Sequence, residues 1–497
     1  MTGPLPLAAA ALFVLMGQAP SPGPEAAQAA APAFDGARAR ELAETAAEAI
    51  DSMYVDAAAG RKIAARIRER AAAGAYDGAG SPSNLADVLT RDLQEFGKDR
   101  HLMVRFEPAF SGGARIRRDA PEKGKGEGEP LTPGRRIVRE DRGGGPAPRE
   151  DGRPVRIVRG PGPGPGDSAE TDARRRSNFG FRSVERLDGN VGLVDIRGLV
   201  PLAFSKETAA AAMSFVANTD AVILDLRNCP GGSPDTVSFL ASFFFGPERR
   251  ELYSRYDRVT GETTTEHTFD ELPGRRIPET DLWILVGPNT ASAGESLAYL
   301  LQQFGRATVV GERTAGAGHN NALLPIGDGL VLSISVGRPI HPRTGKGWEG
   351  EGVKPDVAVP AGTALAVAHA AALARLEGRS TDDRRRRELA WALERVDPAR
   401  PRPRLSAADL DAYSGRYGER SVAVEFGRLV CRGANGRAWT LEPIGRDVFS
   451  WDENTRATLV RDSSGKPAEL VLERADGTME RFARAGAAST AAPKEMR

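Results

Sequence analysis

Hydrophobic positions along the chain change their spacing several times, and each change marks a different kind of element. Over residues 36–108 apolar residues recur at helical spacing: Leu42, Ala46, Ile50 and Met53, then Leu85, Val88, Leu89 and Leu93, with Ser83 or Asn84 as candidate N-cap. At His101-Leu-Met-Val-Arg-Phe106 the period falls to two, which predicts a short strand with Leu102, Val104 and Phe106 on one face. Between 109 and 178 the pattern disappears into Gly, Pro and Arg (GKGEGEPLTPG, DRGGGPAPREDGRP, RGPGPGPGD). Such a stretch buries too little apolar surface to offset its ordering entropy, so it is expected to be a disordered insertion. A basic nucleic-acid arm is the alternative; the interleaved acidic residues favour a solvated linker.

Order resumes near Phe179. Strands are predicted at 191–196, 221–226, 282–286 and 307–311, and helices at 206–218, 234–245 and 292–304. The run Ala-Val-Ile-Leu-Asp-Leu at 221–226 reads as a strand buried on both faces. Strands alternating with helices indicate an α/β core. Residues 376–400 are charged and helix-prone and end in a Pro-rich linker. From 410 to 484 short alternating runs (SVAVEF, RLVCR, AWTLEPI, ATLVRD, AELVLER) predict a small antiparallel β domain. The expected organisation is a signal peptide at 1–29, an N-terminal helical domain at 30–108, the insertion at 109–178, the core at 179–375, a helical linker at 376–404 and a C-terminal β domain at 405–497.

Composition narrows the function. The 497 residues suit two or three domains, and 68 Lys+Arg against 67 Asp+Glu give no charge argument for nucleic acid or acidic lipid as partner. Cys229 and Cys431 are too few for a disulfide scaffold or a cysteine metal cluster, and none of the five histidines pair at metal-ligand spacing. Residues 5–16 form an apolar run of signal-peptide length, followed by Ala27-Gln28-Ala29 as a cleavage site. The mature chain is therefore expected to be extracytoplasmic, without an integral membrane span.

Two turns could carry chemistry. Asp225-Leu-Arg-Asn-Cys-Pro-Gly-Gly232 ends a buried strand in two glycines, whose N–H groups can approach a ligand closely, as in an oxyanion hole; an ordinary strand-to-helix turn looks the same. Thr290-Ala-Ser292-Ala-Gly-Glu295 places a serine at a helix start, where free N–H groups suit a nucleophile. The same Ser-x-x-Glu spacing is also a capping box. A nucleophile needs a base, His101 or His319, and a carboxylate, Glu349 or Glu351, in Gly-Lys-Gly-Trp-Glu349-Gly-Glu351-Gly.

Three blocks in order, Asp225-Leu-Arg…Gly231-Gly232, Thr290-Ala-Ser292-Ala-Gly-Glu295 through Gly311-Glu-Arg-Thr-Ala-Gly316, and Trp348-Glu349-Gly-Glu-Gly352-Val-Lys-Pro355-Asp356, resemble the tail-specific (C-terminal-processing) serine peptidase family. The resemblance implies a crotonase-like core of β-β-α units in a spiral, Ser292 as nucleophile, and an oxyanion hole from the Gly232 and Ala293 amides. One branch of the family uses a Ser–Lys dyad, but Gly316-Ala317-Gly318 stands where its lysine belongs. The chain resembles instead the branch of the tricorn core and the interphotoreceptor retinoid-binding protein, which implies His101 as base and Glu349 as the carboxylate orienting it. No cofactor or metal is implied. The expected function is a secreted serine peptidase acting on peptides or unfolded protein. The alternatives are a non-catalytic protein binding peptide or hydrophobic ligand on the same scaffold, and hydrolysis of a non-peptide ester or amide.

Overall fold

The structure is a computed structural model that describes residues 34–108, 110, 114–117, 156–159, 168–400 and 402–486. The expected signal peptide lies outside the described residues. Three helices open the chain: Gly36–Met53 (α1), Ala57–Ala72 (α2) and Pro82–Gly97 (α3). Each begins at an oxygen side chain that accepts the otherwise unpaired first-turn N–H groups: Asp35 from Arg38, Asp56 from Ala58 and Ala59, and Ser81 from Asn84. The cap of α3 is thus Ser81, not Ser83 or Asn84. Pro82 supplies the first helical residue, where a missing N–H costs nothing. The helix ends on Lys98 in left-handed conformation, and the chain turns through His101 into strand Met103–Phe106 (β1).

The segment expected to be disordered contains structure. Strands Ala114–Arg117 (β2) and Arg156–Arg159 (β3) pair antiparallel with Ile116 opposite Ile157, and helix Ser168–Arg176 (α4) follows. The sequence average over 109–178 hides these short elements among glycines and prolines.

The core holds strands Phe181–Leu187 (β4), Val191–Ile196 (β5) and Ala221–Asp225 (β6), with helices Leu202–Val216 (α5) and Pro234–Ser242 (α6). Then come Glu251–Asp257 (β7), Thr263–His267 (β8), Asp281–Val286 (β9), helix Ala293–Gln303 (α7), Thr308–Gly311 (β10), Asn320–Gly327 (β11), Leu330–Ile340 (β12) and Val357–Ala358 (β13). One sheet runs β13-β10-β9-β6-β5-β4; it is parallel from β13 to β5, and β4 joins antiparallel. Alternate residues serve opposite faces. Val222, Leu224, Ile284 and Val286 pack with α5, α6 and α7, whereas Ala221, Ile223, Trp283 and Leu285 pack under helices Ala364–Arg379 (α8) and Asp383–Val396 (α9). Burial on both faces explains why these strands read as unbroken apolar runs.

A second, antiparallel sheet runs β1-β12-β7-β8, with β11 also paired to β12. It joins the N-terminal helices to the core. Leu42, Ile50, Ile63, Leu85 and Leu89 form one buried cluster with Val104 of β1, Leu324 of β11 and Leu330, Leu332 and Ile334 of β12. Both β1 and β11 lie antiparallel to β12, with Met103 and Leu323 each opposite Ser333. They therefore enter from the same end of the sheet, and the residues just before them, His101 and His319, meet there.

After helix Ala407–Tyr413 (α10), eight strands from Gly415–Tyr417 (β14) to Met479–Ala483 (β21) form an antiparallel meander. A bridge between Tyr417 and Arg484 nearly closes it into a barrel, whose buried interior includes Tyr413, Tyr417, Phe449 and Leu470.

Leu332 in β12 is fully buried in the cluster that the N-terminal helices form with β1, β11 and β12. Leu332→Ala is expected to destabilise the protein by about 2–5 kcal/mol in denaturant unfolding. Phe215→Ala, at a 54% exposed position of α5, should stay within about 0.5 kcal/mol.

Candidate active site

Two turns at the C-terminal ends of β6 and β9 are clipped together by hydrogen bonds. Arg227 holds the carboxylate of Asp225 through Nε and Nη2 and donates through Nη1 to the carbonyl of Ala361. Thr290 donates to the Leu226 carbonyl at 2.8 Å, and the Ala291 amide donates to the Cys229 carbonyl at 3.0 Å. Gly231 then presses against the start of α7, and Gly232 against the backbone of Leu199. A Cβ on Gly231 would lie 2.8 Å from Cβ of Ser292, and one on Gly232 would lie 2.0 Å from the Leu199 carbonyl oxygen. With φ of 113° and 140°, both positions favour glycine on backbone grounds as well.

Ser292 sits at φ 51° and ψ −120°, a conformation that costs a non-glycine residue about 1–3 kcal/mol. The neighbouring Glu295 holds it there. This carboxylate is fully buried and accepts four hydrogen bonds: from the Ser292 amide at 2.8 Å, Thr314 Oγ1 at 2.5 Å, the Gly316 amide at 2.6 Å and the Ala317 amide at 2.8 Å. Burial pushes its pKa up, and the four donors oppose that shift. The capping reading of Glu295 is therefore right about its bond to Ser292. It misses the other three bonds, whose donors lie 19 to 22 residues further on.

The Ser292 hydroxyl faces the N-terminal segment. Its Oγ lies 3.2 Å from Nε2 of His101. The Gly232 and Ala293 amides are not donors in any hydrogen bond with described residues, and the first N–H of a helix has no intrahelical acceptor. Ser292, Ala293 and Gly232 line one cavity of about 260 Å³ with His319 and Trp348.

His101 is carried by a carboxylate that the sequence reading passed over. Asp99, 2% exposed, accepts the His101 amide on Oδ1 at 2.8 Å. Its Oδ2 accepts the Tyr54 hydroxyl at 3.0 Å and lies 3.1 Å from Nδ1 of His319. Burial would raise the Asp99 pKa, but His319, Ser335 and the His101 amide outweigh burial and lower it to about 2. Burial depresses the His101 pKa below its ordinary 6.5, and the charge of Asp99 only partly compensates. The signal for Asp99 was its place two residues before His101; its link to Tyr54 at the end of α1 is tertiary.

Glu349 stands beside His101 but not on it. Single side-chain donor atoms of Asp99, His101 and Glu349 all lie within 4.8 Å of one another. The Glu349 carboxylate accepts the Gly318 amide at 2.6 Å and the His319 amide at 2.7 Å, while Nδ1 of His101 is buried without a hydrogen-bond partner. The expected Glu349–His101 hydrogen bond is thus absent, because two loop amides hold the carboxylate. Burial and the nearby Asp99 charge raise the Glu349 pKa, against His319 and these amides. The three residues are also the spacing at which a cation could be held. Of the remaining candidates, His319 pairs with Asp99, and Glu351 is exposed with its carbonyl accepting from Arg313. Cys229 is fully buried and its thiol is pushed up to about 11, so it is not a competing nucleophile.

Comparison with known proteins places this constellation. Residues 190–359 match peptidase family S41, and residues 36–123 match the N-terminal domain of peptidase S41 in eukaryotic IRBP. A carboxyl-terminal-processing protease of Synechocystis is 36% identical over 119 residues, 24% of this chain and 26% of that protein. Carboxyl-terminal-processing peptidase 3 of Arabidopsis thaliana is 32% identical over 166 residues, 32% of this chain and 31% of that protein. The chain thus spans about a quarter to a third of the length of these relatives. Among solved structures, a photosystem II D1 C-terminal processing protease aligns at 17% identity over 65% of this chain and 93% of its own, with a TM-score of 0.39. The tricorn protease aligns at 16% identity over 66% of this chain and 35% of its own, with a TM-score of 0.36. The segment that carries Ser292 is thus a peptidase family S41 core, and the segment that carries His101 matches the N-terminal domain of such peptidases.

Proposed function

We propose that the protein is an extracytoplasmic serine peptidase that cleaves peptide bonds in peptides or unfolded protein, with Ser292 as nucleophile and His101 as general base. The observation that carries this reading is the 3.2 Å approach of His101 Nε2 to the Oγ of a serine in a strained backbone conformation. A structural cap has no need of a half-buried imidazole, and a surface histidine has no need of a serine 191 residues away. In the reaction, neutral His101 takes the Ser292 proton as Oγ attacks the carbonyl carbon. The Gly232 and Ala293 amides receive the oxyanion, and the imidazolium returns the proton to the leaving amine.

Glu349 is the carboxylate proposed to orient and stabilise that imidazolium. The unpartnered Nδ1 of His101, which becomes a charged donor at this step, is the atom it would serve. Asp99 acts on His101 from the other side, by holding its main chain. The strand pair β4–β5 followed by α5 fits the crotonase-like arrangement the sequence implied. The extracytoplasmic location rests on the N-terminal apolar run; among the described residues no helix is long and apolar enough to cross a membrane. No nucleic-acid partner is proposed for a chain of net charge +1.

Hydrolysis of an unfolded protein such as reduced casein tests the proposal. Ser292→Ala and His101→Ala should each lower kcat/KM by about 10³-fold or more, and Glu349→Gln by about 10²- to 10⁴-fold with little change in KM. Undiminished hydrolysis by Ser292→Ala would remove the proposal.

The pH profile follows from His101. The base works neutral and burial lowers its pKa, so kcat/KM should rise with pH through a midpoint below 6.5. A midpoint above 7 would show a base in a different environment.

Glu295→Gln turns an amide N–H₂ toward donors that need an acceptor. It should cost about 2–4 kcal/mol in denaturant unfolding and reduce kcat more than it raises KM.

A further inference from the structure

The cavity at Ser292 contains one permanently charged side chain, and the proposed chemistry does not use it. Arg255, on β7, lines the same cavity of about 260 Å³ as Ser292, Ala293 and Gly232. Its register places it between Thr264 of β8 and Pro339 of β12, neither of which carries a charge. Glu266 follows on the same face opposite Tyr253, yet no ion pair or hydrogen bond joins the Arg255 side chain to it or to any other described residue. Other half-buried arginines of the core are paired: Arg197 to Asp195, and Arg227 to Asp225.

A half-buried guanidinium gives up hydration, and that cost is recovered only by an anion or an acceptor. Its planar fork matches a carboxylate. Two further polar groups of the cavity wall are left open. Trp348, 6% exposed, has a buried indole N–H without an acceptor, and Asn320 has a buried amide oxygen without a donor. Trp348 can donate only, which adds a second group suited to an acceptor-rich ligand. At about 3.3 Å of extended chain per residue, a group held at Arg255 within this cavity belongs to a residue one or two positions from the bond at Ser292.

We infer that Arg255 binds a carboxylate of the substrate next to the scissile bond, and so makes the enzyme selective for an acidic position there. The carboxylate is either an Asp or Glu side chain or the terminal carboxylate of the peptide. This inference rests on the peptidase reading for the bond that is cut, but not for the binding step.

Pools of random N-acetylated decapeptides test it, with Glu or Gln fixed at each position in turn and the C-terminus as free acid or amide. Cleavage is mapped by mass spectrometry. The wild type should cut pools with Glu at one position beside the cleaved bond, or free acids over amides, about tenfold faster than their neutral partners. The first result identifies a side-chain carboxylate and the second a chain terminus. Arg255→Gln should bring that ratio close to one, and Arg255→Glu should shift preference to pools with Lys fixed at the same position. Arg255→Lys should restore part of the ratio, and thermal unfolding shows that each variant is folded. A wild-type ratio near one at every position, or a preference that survives Arg255→Gln, overturns the inference. Affinity selection of the same pools on Ser292→Ala separates the two readings. If the wild type cuts nothing, acid enrichment on Ser292→Ala that Arg255→Gln abolishes keeps the carboxylate site and removes the peptidase. Selection without acid enrichment removes the carboxylate site.

Discussion

A single buried carboxylate determines the shape of the site. Glu295 is fully enclosed and satisfied by donors from two separated stretches, the Ser292 turn and the 314–317 loop. Unpaired, a carboxylate in that position would be strongly destabilising, so the two stretches are obliged to meet around it. Their meeting fixes the strained backbone of Ser292, and it sets the path of the loop that continues through His319 into β11. The glycine turn at 231–232 then closes against Ser292 because no side chain intervenes. The position of Ser292 and of its neighbouring amides follows from the need to satisfy one charge.

The proposed base arrives by a different route. His101 belongs to the N-terminal segment, and nothing local connects it to Ser292. It is delivered by β-pairing: β1 and β11 flank the same strand, β12, in the same direction, so the residues preceding them converge. The helices α1–α3 hold β1 in place by burying Leu42, Ile50 and Leu89 against that sheet. Asp99 completes the connection by binding the His101 main chain, the Tyr54 hydroxyl and the His319 ring at once. The His101–Ser292 contact is thereby coupled to the docking of the N-terminal helices, and loosening that packing would separate the two side chains without touching either.

Much of this was legible in the sequence, for identifiable reasons. Strands β5, β6 and β9 are buried on both faces and announce themselves as apolar runs, and α7 begins within a residue of its Ser-x-x-Glu signal. The motif blocks led to Ser292, His101, Glu349 and the glycine turn, and the structure brings these together around one cleft. The second sheet was missed. Strand β12 is buried along eight consecutive residues and gives no alternation, and β7 and β8 are half-exposed ribbons rich in charge and threonine. Asp99, Tyr54 and the remaining bonds of Glu295 were also missed, because each depends on partners 19 or more residues distant. The hydrogen bond expected between Glu349 and His101 was a motif inference; the structure gives that carboxylate to two loop amides instead.

The account stands on Ser292 being a nucleophile activated by His101. Reaction of the folded protein with a fluorophosphonate, followed by peptide mapping, tests this without knowledge of the substrate. The account predicts a single adduct on Ser292 near pH 8, lost in Ser292→Ala and slowed by orders of magnitude in His101→Ala. A folded wild type that carries no adduct on Ser292, or a His101→Ala protein labelled at the wild-type rate, would contradict it.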